Sequence, residues 1–172
     1  MKSTLPAAVA ILLLAACSPP PTVERDPALL LQTDALSYTL ARNELGYRAR
    51  IPWAFRNETG APVYLHNCDG DVRPLLEMDR DGIWFPAWEP YRDACQSAPV
   101  VVPPGATYAD TLALFGAPPG SNVMPVFVFP EIQGVYRMVW TQAYATYDTL
   151  AGRPGEPLPL EQRVSNAFVL VR

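Results

Sequence analysis

The sequence predicts an all-β domain, a sandwich or a barrel of short antiparallel strands. Three observations predict it. Apolar residues recur with period two, most clearly where Tyr47, Ala49, Ile51, Trp53 and Phe55 face one way while Arg48, Arg50, Pro52 and Arg56 face the other. Turn signals such as "NETG", "DRDG", "PPGA" and "GAPPGSN" separate the apolar runs at regular spacing. No segment keeps a helical apolar period for three turns.

The elements follow in order. The segment "SPPPTVERDPALLLQ", Ser18 to Gln32, is Pro-rich at first and without periodicity, which predicts an extended spacer over residues 17–33 and a folded domain over 34–172. "LSYTLAR" alternates Leu36, Tyr38 and Leu40. After the long strand around Ile51 and the "NETG" turn, "PVYLHNC" sends Val63 and Leu65 to one side and Tyr64, His66 and Cys68 to the other. "RPLLEMD", a tight "DRDG" turn and "IWFPAW" predict a hairpin whose second strand, carrying Pro86, lies at an edge or ends early. "EPYRDACQSAP" is a loop; "VVV" and "TYADTLALF" are strands, the latter with Tyr108, Leu112 and Leu114 on one face. "VFVF" reads as a short strand, "GVYRMVWTQ" alternates Tyr136, Met138 and Trp140, and "NAFVLVR" is a final strand.

Lys2, the apolar run "LPAAVAILLLAA" and Cys17 have the order of an export signal. The run is well short of the roughly 20 apolar residues that span a bilayer, so it predicts export and not a membrane span. "LAAC", Leu14 to Cys17, resembles the lipobox of bacterial lipoproteins. The resemblance implies that residues 1–16 are removed and that Cys17 carries the lipid anchor, a diacylglyceryl group with a further acyl chain such as palmitate. Two or more chains hold a protein stably where one gives marginal binding. Ser18 stands where an aspartate would resemble the inner-membrane retention signal, which implies an outer membrane, facing the periplasm. Removing 16 of the 172 residues leaves 156 and takes away Lys2, moving the formal charge from −4 to −5. Such a chain has the length for one domain and lacks the basic surplus of a nucleic-acid binder.

Three cysteines in an exported chain leave one over. Lipidation of Cys17 would account for it, so Cys68 and Cys95 are expected to pair in an oxidising compartment. The loop they close, positions 68 to 95, is 28 residues, and the chain-entropy relation gives about 3.6 kcal/mol of stabilisation. The same stretch, "YLHNCDGD", raises metal readings. Zinc wants four ligands at short spacing, and His66 is the sole histidine. Asn67, Asp69 and Asp71 alternate like the first ligands of a calcium loop, but Val72 and Met78 stand where Gly and Glu are needed, and Glu77 is one place off. Ordinary turn chemistry explains these residues, and neither a metal nor a cofactor is expected.

From "PWAFRNETGAPVYLHNC" through "VPPGATYADTLAL" and "GVYRMVW" to "SNAFVLV", the chain resembles the bacterial immunoglobulin-like domains of small envelope lipoproteins. The resemblance implies an immunoglobulin-like antiparallel β-sandwich of about seven to nine short strands. "GVY" also resembles the tyrosine corner, in which a Tyr hydroxyl bonds back to the chain.

Catalysis by a nucleophile needs a base and a group to orient it. His66 would have to meet Ser37, Ser97, Ser121 or Ser165, and none has a G-x-S-x-G context. The pairs Asp69 with Asp71 and Asp79 with Asp81 fall in turns. No phosphate-cradling or dinucleotide motif is present. The expected function is therefore a non-catalytic envelope module, tethered to the membrane by lipid and acting by binding, to an envelope protein or glycan, or by structural support. Trp88, Tyr91 and Arg92 in "WFPAWEPYRD" are its candidate surface, with core packing of the tryptophans as the competing reading. Rival functions are an inhibitor of exported proteases presenting "GAPPGSNVMP", and a small hydrolase or metal-binding protein using His66.

Overall fold

The structure, a computed structural model, describes residues 23–91 and 97–172. It is all-β, with no α-helix among the described residues. The strands are β1 (Leu31–Thr33), β2 (Ser37–Thr39), β3 (Ala41–Arg42), β4 (Tyr47–Arg56), β5 (Val63–Leu65), β6 (Leu75–Arg80) and β7 (Ile83–Trp88). They continue with β8 (Val100–Val102), β9 (Thr107–Gly116), β10 (Gly134–Val139), β11 (Ala143–Tyr144), β12 (Tyr147–Asp148), β13 (Arg153–Pro154) and β14 (Phe168–Val171). Four of these fourteen, β3, β11, β12 and β13, are two-residue ladders. Their brevity explains most of the excess over the seven to nine strands expected, since two residues cannot display an alternation.

β4 is the strand the alternation predicts: Tyr47, Ala49, Ile51, Trp53 and Phe55 are all buried. One edge pairs with β9 along its whole length, from Tyr47 opposite Gly116 to Arg56 opposite Thr107. The other edge is shared by β3 and β1. β1 corrects the expected boundary at residue 34, because Leu31 is fully buried and pairs with Phe55. The folded unit thus takes in the end of the stretch read as spacer.

A five-stranded sheet runs β2-β14-β10-β6-β7, antiparallel except for β2 and β14, which are parallel. The β6–β7 hairpin turns through Asp81 and Gly82, both at positive φ (58° and 82°), the geometry that an Asp-Gly pair favours. β7 lies at the sheet edge, where Pro86 removes no ladder donor, and its register shifts between Leu76 and Glu77. "VFVF" forms no strand; Val126 and Phe127 make isolated bridges to Ala117 and Trp88, with Pro125 and Pro130 on either side withholding donors.

The two larger sheets turn their apolar faces into one core. Ile51, Trp53 and Phe55 meet Leu76, Met78, Tyr136, Met138, Phe168 and Leu170 there, and the Trp140 ring lies 5.1 Å from Trp53 and 4.9 Å from Phe55. A buried polar clasp joins the two ends of the described chain. The Asn166 side chain accepts from the Thr33 N–H (2.8 Å) and donates to Thr33 Oγ1 (2.8 Å). The Tyr136 hydroxyl, also buried, donates to the Ile132 carbonyl at 2.9 Å, the bond expected of a tyrosine corner.

Candidate functional site

The site grows out of the small sheet β11-β5-β8. Alternation along β5 buries Val63 and Leu65 and turns Tyr64 outward. Register places Tyr144 of β11 on one side of Tyr64 and Val101 of β8 on the other, a row of exposed or half-buried side chains across three strands. Beyond β11, the β12–β13 hairpin brings Tyr147 over this row, and its ring stacks on Tyr64 with centroids 5.7 Å apart and planes at 24°. Asp148 caps the hairpin by accepting from the N–H groups of Leu150 (2.9 Å) and Ala151 (3.0 Å). Sheet and hairpin together enclose a groove of about 720 Å³.

Its polar groups come from neighbouring chain. His66, just after β5, donates its backbone N–H to Gln142 O at 3.0 Å, and both residues line the groove together with Thr149 and Ser97. Among the described residues, those lining this groove include no Asp, Glu, Lys or Arg.

The "NCDGD" stretch is the hairpin turn that carries β5 away from the groove. Cys68 and Asp71 exchange both backbone bonds at 3.0 Å, and Asp69 and Gly70 sit at φ 53° and 90°. The buried Asn67 side chain accepts from the Gly70 N–H (2.8 Å) and donates to Ala98 O (2.6 Å), tying the turn to the approach of β8. Asp71 is paired with Arg73 at 2.8 Å. Cys68 is disulfide-bonded. Cys17 and Cys95 lie outside the described residues.

The candidate surface at Trp88, Tyr91 and Arg92 is corrected at its centre. Trp88 is 3% exposed, and its indole N–H donates to Phe115 O at 2.8 Å. It is a core residue because the bulge on β7 turns both Ala87 and Trp88 inward, where strict alternation would bury only one of them. Tyr91 is exposed, and Arg92 lies outside the described residues. Of the four serines, Ser97 alone shares the groove with His66, and its hydroxyl accepts from the Asp69 N–H at 3.0 Å. The "GAPPGSNVMP" loop is closed at its base by the Ala117 N–H donating to Pro125 O (2.9 Å), with Met124 exposed near that end.

Tyr144 and Tyr147 were not legible as site residues. Their signal was the outward direction of Tyr64, which marks a wet face on β5, and two further tyrosines spaced three apart in "AYATYDT". Comparison with protein-family models, with curated proteins and with solved structures finds no match.

Proposed function

We propose that the chain is an exported, lipid-anchored, non-catalytic binding module of the bacterial envelope, built as an immunoglobulin-like β-sandwich, with the tyrosine groove as its binding site. The groove carries this reading: three tyrosines and the polar groups of Gln142, Thr149 and Ser97 converge on one concave surface. That composition suits recognition, because aromatic faces bordered by amide and hydroxyl groups can fix the position of a ligand. Two sheets sharing one core and the Tyr136 to Ile132 bond support the immunoglobulin-like reading. The anchor rests on "LAAC" and Cys17. Protease inhibition is the second reading, favoured by the exposure of Met124 in a loop pinned at its base.

In-cell cross-linking and fractionation test the proposal. The wild-type chain is expected in the membrane fraction with a cross-linked envelope component, and Cys17→Ser moves it to the soluble fraction. Tyr64→Ala combined with Tyr147→Ala abolishes the cross-link without changing fractionation or thermal stability. A Cys17→Ser chain held wholly in membranes rejects the anchor. A hydrolytic activity abolished by His66→Gln, which keeps a hydrogen-bonding head but no titrating ring, rejects the non-catalytic reading.

A further inference from the structure

We infer that the groove binds a saccharide chain, recognised by stacking on Tyr64, Tyr144 and Tyr147; this rests on reading the groove as the binding site. Three observations lead there. Among the described residues the lining holds no Asp, Glu, Lys or Arg, and three of its side chains are tyrosines. The nearly parallel rings of Tyr64 and Tyr147, with Tyr144 one strand away in register, make a stepped aromatic shelf. A sugar ring has an apolar C–H face that lies flat on such a shelf, and hydroxyls around its rim that both donate and accept. The groups bordering the shelf are of the matching kind: the Gln142 amide offers donors and an acceptor, and the Thr149 hydroxyl and the tyrosine hydroxyls each do both.

Size and placement narrow the occupant further. A volume of about 720 Å³ falls in the range of small-ligand sites, enough for a short run of sugar rings and too small for a folded partner. A peptide adding itself as a strand would need unpaired backbone groups at a sheet edge. Tyr64, by contrast, stands on the face of the central strand β5, whose backbone is paired to β11 on one side and β8 on the other. The peptide alternative that would use the tyrosines themselves is a proline-rich segment lying on them, which the experiment separates.

The test uses the full lipidated chain in a zwitterionic detergent without a sugar headgroup. Chitohexaose, cellohexaose and maltohexaose are titrated by calorimetry and saturation-transfer NMR, with a decaproline peptide as comparator. At least one hexasaccharide is expected to bind, with saturation concentrated on ring C–H protons. Tyr64→Ala or Tyr147→Ala weakens it by about tenfold or more, the loss expected when a stacking ring is removed. Tyr64→Phe retains most of the affinity and shows that the variants fail by losing the ring face and not the fold. Tyr91→Ala, an exposed tyrosine outside the groove, leaves binding unchanged. Binding of decaproline alone, lost in the same tyrosine variants, overturns the saccharide while keeping the groove as a binding site. No hexasaccharide bound at about 10 mM, weaker than any affinity of functional use, also overturns the saccharide inference. Saccharide binding that survives both tyrosine-to-alanine variants overturns it too, and if the in-cell cross-link likewise survives them, the reading of the groove as the binding site fails as well.

Discussion

At the scale of single residues, two buried tyrosines show how a polar atom is kept inside an apolar core. The Tyr136 hydroxyl donates to Ile132 O, and burial, with Glu131 nearby, pushes its phenol well above the ordinary range. The Tyr38 hydroxyl donates to Asp34 Oδ1 at 2.6 Å and accepts from the Ala35 N–H; burial and then the Asp34 bond push it up to about 12. A folded-state value raised above the unfolded value of about 10 contributes stability that is complete below pH 10. That stability is lost as the pH climbs from about 10 through 12, when the unfolded chain ionises and the folded chain resists. Tyr136→Phe is therefore expected to cost about 1–2 kcal/mol at neutral pH, through the lost donor to a buried carbonyl. Tyr38→Phe is expected to flatten the alkaline loss. Urea midpoints at neutral pH and near pH 11 check both, and an unchanged alkaline slope in Tyr38→Phe would reject the assignment. "GVY" made Tyr136 legible in the sequence, whereas the partner of Tyr38 was not, because its bond to Asp34 depends on how the chain bends into β2.

At the scale of elements, the β6–β7 hairpin isolates the role of one turn. A Cβ at Gly82 would meet nothing within 4 Å, so Gly82→Ala tests backbone conformation alone. At φ 82° the expected loss is about 1 kcal/mol, with Gly82→Asn milder because asparagine tolerates this region. Thermal denaturation of the two variants decides it; equal stability of Gly82→Ala and wild type would mean that the turn relaxes. This hairpin, like β4, was readable because its determinants are local: an Asp-Gly pair, an alternation, a proline on an edge. What escaped was set by distance. The parallel β2–β14 pairing joins segments that carry no mark of each other, and β11, β12 and β13 are too short to alternate. For that reason the groove, which those short ladders build around Tyr64, escaped as well. Trp88 stayed open between surface and core in the sequence because a single bulge shifts the face it belongs to.

At the scale of the whole molecule, the disulfide proposed between Cys68 and Cys95 would join the turn beyond the groove to the loop before β8. Non-reducing mass spectrometry is expected to recover the two cysteine-containing peptides linked, and replacing both by serine is expected to lower stability by about 3 kcal/mol. Two alkylatable thiols in the folded, exported protein would reject the pairing. The clasp of Asn166 on Thr33 and the parallel pair β2–β14 bear on another matter, the time at which the protein can fold. Thr33 and Asn166 are 133 positions apart, and β14 stands between β2 and β10 in the five-stranded sheet. Until residues 165–171 are available, β2 has no neighbour in that sheet and Leu31 lacks its bridge to Ser165. Contacts of such long range are slow to close, because the loop entropy falls due before the contact rewards it. A chain threaded across a membrane from its N-terminus would therefore remain pliable during transit, and would reach its final structure only after its last strand had arrived on the far side.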